Sequence, residues 1–262
     1  MRLVWIALTC LFSMTSAANV PLTEALGNGP PIPAAPKLQA SGYLLVDATN
    51  GEILVEHNAE EPLPPASLTK MMTAYIAERE ITEGRISFDD QVPVSVKAWK
   101  TGGSRMFIRE GTEVRLEDLL RGIIIQSGND ASVAVAEYIA GSEDVFADVM
   151  NQTAISLGMT NTQFKNATGL PQEGHYTTAK DLSILAARII QDFPDTYPIY
   201  EEKNFTYNGI KQANRNNLLF RDPSVDGLKT GHTEEAGYCL VASAERDGFR
   251  LISVVMGTAS EK

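Results

Sequence analysis

A serine and a lysine three positions apart are the first residues that could do chemistry. Ser67 and Lys70 follow Pro64-Pro65, where apolar spacing predicts a helix with both side chains on one face of its first turn. Such a pair can act as nucleophile and base. Because lysine titrates at about pH 10.4, burial or a second cation must lower the pKa of Lys70. The alternative is a helix-capping serine beside a solvated lysine.

A second group, Ser127-Gly128-Asn129, separates two apolar helical segments. Three small or polar residues there predict a tight, exposed turn between helices. The serine hydroxyl could relay a proton, and the asparagine amide could bind a substrate carbonyl. A helix C-cap followed by an N-cap at Asn129 or Asp130 explains the same residues without any chemistry.

A third group, Lys229-Thr230-Gly231, precedes an apolar strand and is predicted to lie on a strand edge. Gly231 would let a substrate backbone approach that edge, while Lys229 supplies a cation and Thr230 a hydroxyl for a carboxylate. The same tripeptide occurs at Lys100-Thr101-Gly102. No strand follows that copy, so we interpret it as a surface loop.

The order and context of the three groups resemble the superfamily of penicillin-binding proteins and serine β-lactamases. Their flanking residues are similar to those of the low-molecular-mass D-alanyl-D-alanine carboxypeptidases. The resemblance extends over residues 38 to 262, and its most specific segments are 65–73, 126–131 and 226–233.

This resemblance implies acyl transfer through a covalent intermediate. Ser67 would attack the carbonyl between two terminal D-alanines, Lys70 would accept its proton, and water would hydrolyse the acyl-enzyme. Ser127 would relay a proton to the departing D-alanine. Lys229 would keep Lys70 partly neutral by charge repulsion and would polarise Ser127.

The resemblance also implies which residues bind the substrate. Asn129 would hold the peptide, and Thr230 would contact its terminal carboxylate beside Gly231. The oxyanion would lie between the backbone N–H groups of Ser67 and His232, so His232 would act through its backbone.

We expect neither a metal nor another cofactor, because His57 and His175 match no metal-ligand spacing. Residues 166–182 are similar to a loop segment of the carboxypeptidases. They lack the Glu-x-x-x-Asn with which class A β-lactamases activate a deacylating water. This difference disfavours hydrolytic resistance and predicts that β-lactam antibiotics act as covalent inhibitors.

Apolar periodicity predicts an α+β fold. Asn50-Gly51 would join two N-terminal strands, and Asp247-Gly248 would join two C-terminal strands. Helical spacing recurs between them in five segments: 68–78, 116–126, 131–139, 145–157 and 179–190. We therefore expect an antiparallel sheet built from the terminal hairpins, with a helical region between them. The resemblance implies the same β-lactamase/transpeptidase-like fold.

The N-terminus predicts export. Residues 1–18 combine a positive start, a short apolar run and small residues, which is typical of a secretory signal peptide. We expect the protein in the periplasm or cell envelope, with a Pro-rich extended lead-in at 19–37 and the catalytic domain at 38–262. The net charge of −11 argues against a nucleic-acid partner.

Relatives continue beyond the corresponding point with a closing helix, a small β-rich domain and often a membrane-anchoring helix. We expect this chain to lack these parts, so that membrane association would depend on the absent anchor. One sheet face would then stay uncovered and favour association.

These observations favour a serine-type D-Ala-D-Ala carboxypeptidase that trims peptidoglycan stem peptides. A D,D-endopeptidase and a truncated, non-catalytic peptidoglycan-binding module are the alternatives.

Overall fold

A five-stranded antiparallel sheet joins the two ends of the chain. The computed structural model describes residues 35–260, so the predicted signal peptide and nearly all of the lead-in lie outside the described residues. The described strands are β1 (Gly42–Asp47), β2 (Ile53–His57), β3 (Gln91–Pro93), β4 (Glu113–Arg115), β5 (Asn204–Tyr207), β6 (Ile210–Ala213), β7 (Val225–Thr233), β8 (Gly237–Arg246) and β9 (Phe249–Thr258).

The order of the main sheet is β2-β1-β9-β8-β7. Strand β1 pairs with β9 from Gly42 opposite Met256 to Asp47 opposite Leu251, which closes the N-terminal hairpin onto the C-terminal one. Buried and half-buried positions alternate along β1, as expected for a strand with one face on the core. The predicted α+β fold is therefore confirmed, and β7 forms one edge of the sheet.

The two predicted hairpin turns differ in outcome. Asp247 and Gly248 form a two-residue turn with positive φ at both positions, as predicted. At the other hairpin the predicted two-residue turn is wrong, because four residues, 48–51, separate Asp47 from Glu52. The side chain of Asp47 accepts a hydrogen bond from the backbone of Thr49, and that of Asn50 from Glu52, so side-chain contacts stabilise the longer loop.

The five predicted helical segments are confirmed. The helices of the described chain are α1 (Lys70–Thr82), α2 (Val96–Lys100), α3 (Leu116–Ile124), α4 (Asn129–Ala140), α5 (Glu143–Leu157) and α6 (Ala179–Asp192). Every residue from 70 to 78 of α1 is buried, because α1 packs against α3, α4, α5 and α6. Helix α6 also packs against β1, β8 and β9. Helix α1 is thus the central helix of the helical region.

Several short elements were not predicted. Strands β3 and β4 pair as a small antiparallel sheet although α2, which has five residues, lies between them in the chain, and β5 and β6 form a hairpin. Segments of three to five residues are too short to show a helical or strand period. No helix in the described part of the chain is long and apolar enough to cross a membrane.

A buried carboxyl group links α1 to the 3₁₀ turn Tyr197–Glu201. Glu78 accepts hydrogen bonds from the hydroxyl groups of Thr196, at 2.7 Å, and Tyr200, at 3.1 Å. Burial raises the pKa of Glu78 to about 7, although both hydrogen bonds lower it. The neutral acid is therefore favoured up to about neutral pH.

This raised pKa predicts a pH-dependent stability. The contribution of neutral Glu78 is fully present below the unfolded-state pKa and is lost as the pH rises through the folded-state pKa. Glu78→Gln removes the titration, so its loss of unfolding free energy from about pH 5.5 to about pH 8 should be about 2 kcal/mol smaller than in the wild type. Urea unfolding at both pH values measures this difference. Equal losses in the two proteins would contradict a buried, titrating Glu78.

Candidate active site

Ser67 lies in a 3₁₀ turn, Ala66–Thr69, that directly precedes α1. The sequence predicted Ser67 in the first turn of the α-helix. This detail is wrong, because α1 begins at Lys70 and Ser67 lies in the turn before it. Ser67 Oγ is 3.0 Å from Lys70 Nζ, and Lys70 is fully buried. The alternative of a capping serine beside a solvated lysine is therefore wrong.

The environment of Lys70 favours its neutral form. Burial lowers the pKa of Lys70 well below its ordinary value, and the nearby charge of Lys229 lowers it further, while Asp130 opposes both effects. Lys70 Nζ also donates a 2.5 Å hydrogen bond to the carbonyl of Thr168. This bond fixes the amine beside the Ser67 hydroxyl, where a neutral amine can accept its proton.

A second lysine–serine pair lies next to the first. Lys229 Nζ is 2.9 Å from Ser127 Oγ and donates to the carbonyl of Thr230 at the same distance. Burial lowers the pKa of Lys229 to about 7, with a smaller effect from the charge of Arg215. A lysine that titrates near neutrality can exchange protons with the Ser127 hydroxyl.

The turn at Ser127 is buried, whereas the sequence predicted an exposed turn. Ser127 and Asn129 are each 4% exposed. A neighbouring loop covers the turn: Asn129 donates from its side chain to the Gly102 carbonyl, at 2.6 Å, and from its backbone to the Ser104 carbonyl, at 2.8 Å. The second Lys-Thr-Gly copy thus has an exposed Lys100 but touches the site through Gly102.

Asp130 holds a loop over the site, a role that the sequence did not predict. Its carboxylate is fully buried and accepts hydrogen bonds from the backbone N–H groups of Met106, Phe107 and Ile108, and from Ala131 in its own helix. This binds the covering loop to the start of α4. The sequence shows only an acidic residue at the start of a helix. Such a residue is explained equally well as an ordinary N-cap.

The predicted Lys229-Thr230-Gly231 tripeptide lies on edge strand β7, as expected. A Cβ atom at Gly231 would lie 3.1 Å from the Ser67 backbone nitrogen. This brings the β7 backbone against the turn that holds Ser67. The side chain of His232 is exposed, and its ring centroid is 4.1 Å from that of Tyr238.

The chain is similar to known proteins along most of its length. Residues 30–260 match the D-alanyl-D-alanine carboxypeptidase family. The chain belongs to this family. It is 46% identical over 233 residues to D-alanyl-D-alanine carboxypeptidase DacA of Escherichia coli K12, in a match that covers 86% of this chain and 58% of DacA. The chain therefore spans about three fifths of the length of that relative.

Solved structures of relatives have the same fold. D-alanyl-D-alanine carboxypeptidase DacD from Francisella tularensis aligns with a TM-score of 0.87 and 38% identity, covering 94% of this chain and 71% of that one. Penicillin-binding protein D2 from Listeria monocytogenes in its ampicillin-bound form aligns with a TM-score of 0.79 and 31% identity, covering 87% and 93%. The resemblance found in the sequence is thereby confirmed.

A loop from 166 to 169 supports the 3₁₀ turn Ala66–Thr69, which holds Ser67, and the start of α1. Asn166 Oδ1 accepts hydrogen bonds from Thr168 and from the backbone of Gly169, and Thr73 in α1 donates to the Ala167 carbonyl. The sequence did not identify Thr168 as a partner of Lys70, because its contact is made by a backbone carbonyl. Such a contact leaves no side-chain signal.

No group of three or more His, Cys, Asp or Glu residues in the described part of this chain could hold a metal ion. His175 packs against the 3₁₀ turn Ala66–Thr69. Its Nε2 lies 3.0 Å from the Thr69 hydroxyl, and burial lowers its pKa to about 4. The ring is therefore neutral at neutral pH.

A substitution at Gly169 tests how closely the 166–169 loop packs against the 3₁₀ turn that holds Ser67. It has a φ of +81°, and a Cβ there would lie 1.8 Å from the Ala66 carbonyl oxygen. We expect Gly169→Ala to displace Ser67 and to slow acylation by a fluorescent penicillin about 100-fold, since shifts near 1 Å have effects of this size. Stopped-flow labelling measures the rate.

Gly84→Ala is the matched control. Gly84 has a similar φ of +72°, and a Cβ there meets no atom within 4 Å. Both variants should lose about 1 kcal/mol of stability from backbone strain, and Gly169→Ala should lose more because its Cβ also clashes with the Ala66 carbonyl. If Gly169→Ala is acylated as fast as Gly84→Ala, the loop does not position Ser67.

Proposed function

We propose that this protein is a serine-type D-Ala-D-Ala carboxypeptidase that removes the terminal D-alanine from peptidoglycan stem peptides. One observation carries the proposal: two buried lysines each lie within 3.0 Å of a serine hydroxyl, Lys70 beside Ser67 and Lys229 beside Ser127. Family membership over residues 30–260 supports the choice of reaction.

Acylation uses both pairs. Neutral Lys70 takes the Ser67 hydroxyl proton while Oγ forms a bond to the carbonyl carbon between the two D-alanines. The carbon–nitrogen bond then breaks, and Ser127 gives its proton to the departing amine nitrogen. Lys229 donates to Ser127 and restores that proton, because its pKa of about 7 allows transfer near neutrality. Water next hydrolyses the serine ester and releases the shortened peptide.

Substrate binding uses the strand edge and the covered turn. Asn129 donates one amide hydrogen to the Gly102 carbonyl, which orients the rest of its amide toward the peptide. Thr230 is half-buried on β7 and contacts the terminal carboxylate. Gly231 lets the peptide approach, and the backbone N–H groups of Ser67 and His232 stabilise the oxyanion.

Neither alternative function is favoured. The family description and the 46% identical relative carry the name carboxypeptidase rather than endopeptidase. A non-catalytic binding module has no need for two buried lysines, because each costs solvation free energy that only chemistry would offset.

β-Lactam antibiotics act here as covalent inhibitors of Ser67. The ampicillin-bound relative supports this part of the proposal. Residues 166–182 contain no Glu-x-x-x-Asn that could activate a deacylating water, so the penicilloyl ester persists.

Export to the cell envelope fits this substrate. We propose that residues 1–18 are a signal peptide, that 19–37 are an extended lead-in, and that the catalytic domain starts at residue 38. The acidic net charge of −11 disfavours nucleic acid as a partner.

Three substitutions test the assignment. Ser67→Ala should abolish both penicillin labelling and release of D-alanine from a pentapeptide, because it removes the nucleophile. Lys229→Ala should lose at least about 100-fold in D-alanine release, the lower end of the range for lost proton-transfer groups, while Lys100→Ala keeps wild-type activity. Mass spectrometry and a D-alanine assay measure these effects. Labelling of Ser67→Ala, or equal losses in the two lysine variants, would refute the assignment.

A further inference from the structure

An acidic residue outside the three sequence motifs contacts the loop that binds the catalytic lysine. Glu143 is the first residue of α5, and its Oε1 atom accepts a hydrogen bond from the backbone N–H of Ala167 at 3.1 Å. Its Oε2 atom lies 2.8 Å from Lys97 Nζ. Glu143 is 9% exposed and Ala167 is fully buried, so the contact with the loop is shielded from solvent. Helix α5 thus holds this loop through a carboxylate.

Ala167 directly precedes the residue that orients the catalytic amine. The carbonyl of Thr168 accepts the 2.5 Å hydrogen bond from Lys70 Nζ. The carbonyl of Ala167 accepts a hydrogen bond from the hydroxyl of Thr73, at 2.8 Å, and Thr73 belongs to the same helix as Lys70. Ala167 is therefore held by α5 through its N–H group and by α1 through its carbonyl. Its placement between the two helices determines where the next carbonyl, that of Thr168, points.

The other side chains that bind this loop act at different places. Asn166 accepts hydrogen bonds from backbone N–H groups of the loop itself, so it sets the shape of the loop rather than its position between the helices. Asn151 of α5 binds the backbone of Phe164, at the start of the segment. Without Glu143, the Ala167 N–H would be a buried donor that lacks its partner, which costs free energy. The loop would then move to solvate this group.

The contact of Glu143 with the loop depends on its oxygen atom rather than on its charge. Lys97, its ion-pair partner, is exposed, and exposed ion pairs contribute little stability. The pKa of Lys70 is lowered by burial and by the charge of Lys229, and it is raised by the charge of Asp130. The charge of Glu143 is not among these causes. A neutral side chain with an oxygen at the same place should therefore replace Glu143.

We propose that Glu143 is a positioning residue for Lys70, because it holds Ala167 so that the Thr168 carbonyl fixes the Lys70 amine beside Ser67. The inference rests on the acyl-transfer function proposed above. It predicts that the side chain at position 143 changes the rate of acylation and leaves the binding of the unreacted ligand unchanged.

Three substitutions separate the oxygen of Glu143 from its charge. Glu143→Gln keeps the oxygen and removes the charge, Glu143→Asp keeps the charge on a side chain one methylene shorter, and Glu143→Ala removes both. Stopped-flow labelling over a range of fluorescent-penicillin concentrations gives the acylation rate constant and the dissociation constant of the noncovalent complex separately. Glu143→Gln should stay within about twofold of the wild-type rate constant. Glu143→Asp and Glu143→Ala should be slower by about tenfold, with unchanged dissociation constants.

Asp144→Ala is the matched control, since it removes an exposed acid from the same first turn of α5. It should keep the wild-type rate constant, and melting temperatures verify that the variants are folded. If Glu143→Ala does not fold, the comparison of Glu143→Gln with Glu143→Asp decides the test.

Wild-type acylation rates in Glu143→Asp and Glu143→Ala would overturn the inference alone. An equal loss in Glu143→Gln, or a loss that appears only in the dissociation constant, would do the same. If the wild type is not acylated at all, the acyl-transfer function fails and the inference fails with it.

Discussion

The site depends on two lysine side chains that the fold buries close together. Burial lowers the pKa of both lysines, and the charge of Lys229 lowers that of Lys70 further, so Lys70 loses its proton at a pH at which an exposed lysine would keep it. Their hydrogen-bond partners are serine hydroxyls and backbone carbonyls, which orient the amines without restoring the charge. In the proposed mechanism, this environment makes Lys70 the base for Ser67, so that no histidine is needed for that role.

The packing around the lysines follows from that requirement. Helix α1 is buried along its first nine residues, so Lys70 has no route to solvent along its own helix. Strand β7 approaches so closely that a Cβ atom at Gly231 would lie 3.1 Å from the Ser67 backbone nitrogen, which is a tight contact. Asp130 holds the loop that covers the Ser127 turn through three backbone N–H groups of that loop. Small residues and backbone contacts thus keep the two lysines buried.

The sequence predicted local features well and non-local ones poorly. The five long helices follow from apolar spacing, and the turn at Asp247-Gly248 follows from two residues that accept positive φ. The order of the three candidate motifs led to a resemblance to a known family. That resemblance made their interpretation specific. The burial of Ser127 was missed because it comes from a distant loop, whose Gly102 lies 27 residues before Asn129 in the chain. Thr168 was missed because it acts through its carbonyl.

The most direct test of the central claim is a titration of the lysine side chains by NMR on protein labelled with ¹³C at the lysine ε-carbons. Signals of Lys70 and Lys229 are assigned by their loss in the Lys70→Arg and Lys229→Arg variants. The account predicts that these two signals titrate well below the about 10.4 of ordinary lysines, with Lys229 at about 7. Titration of both at about 10.4 would show that the amines are charged at neutral pH, and Lys70 could not then act as the base.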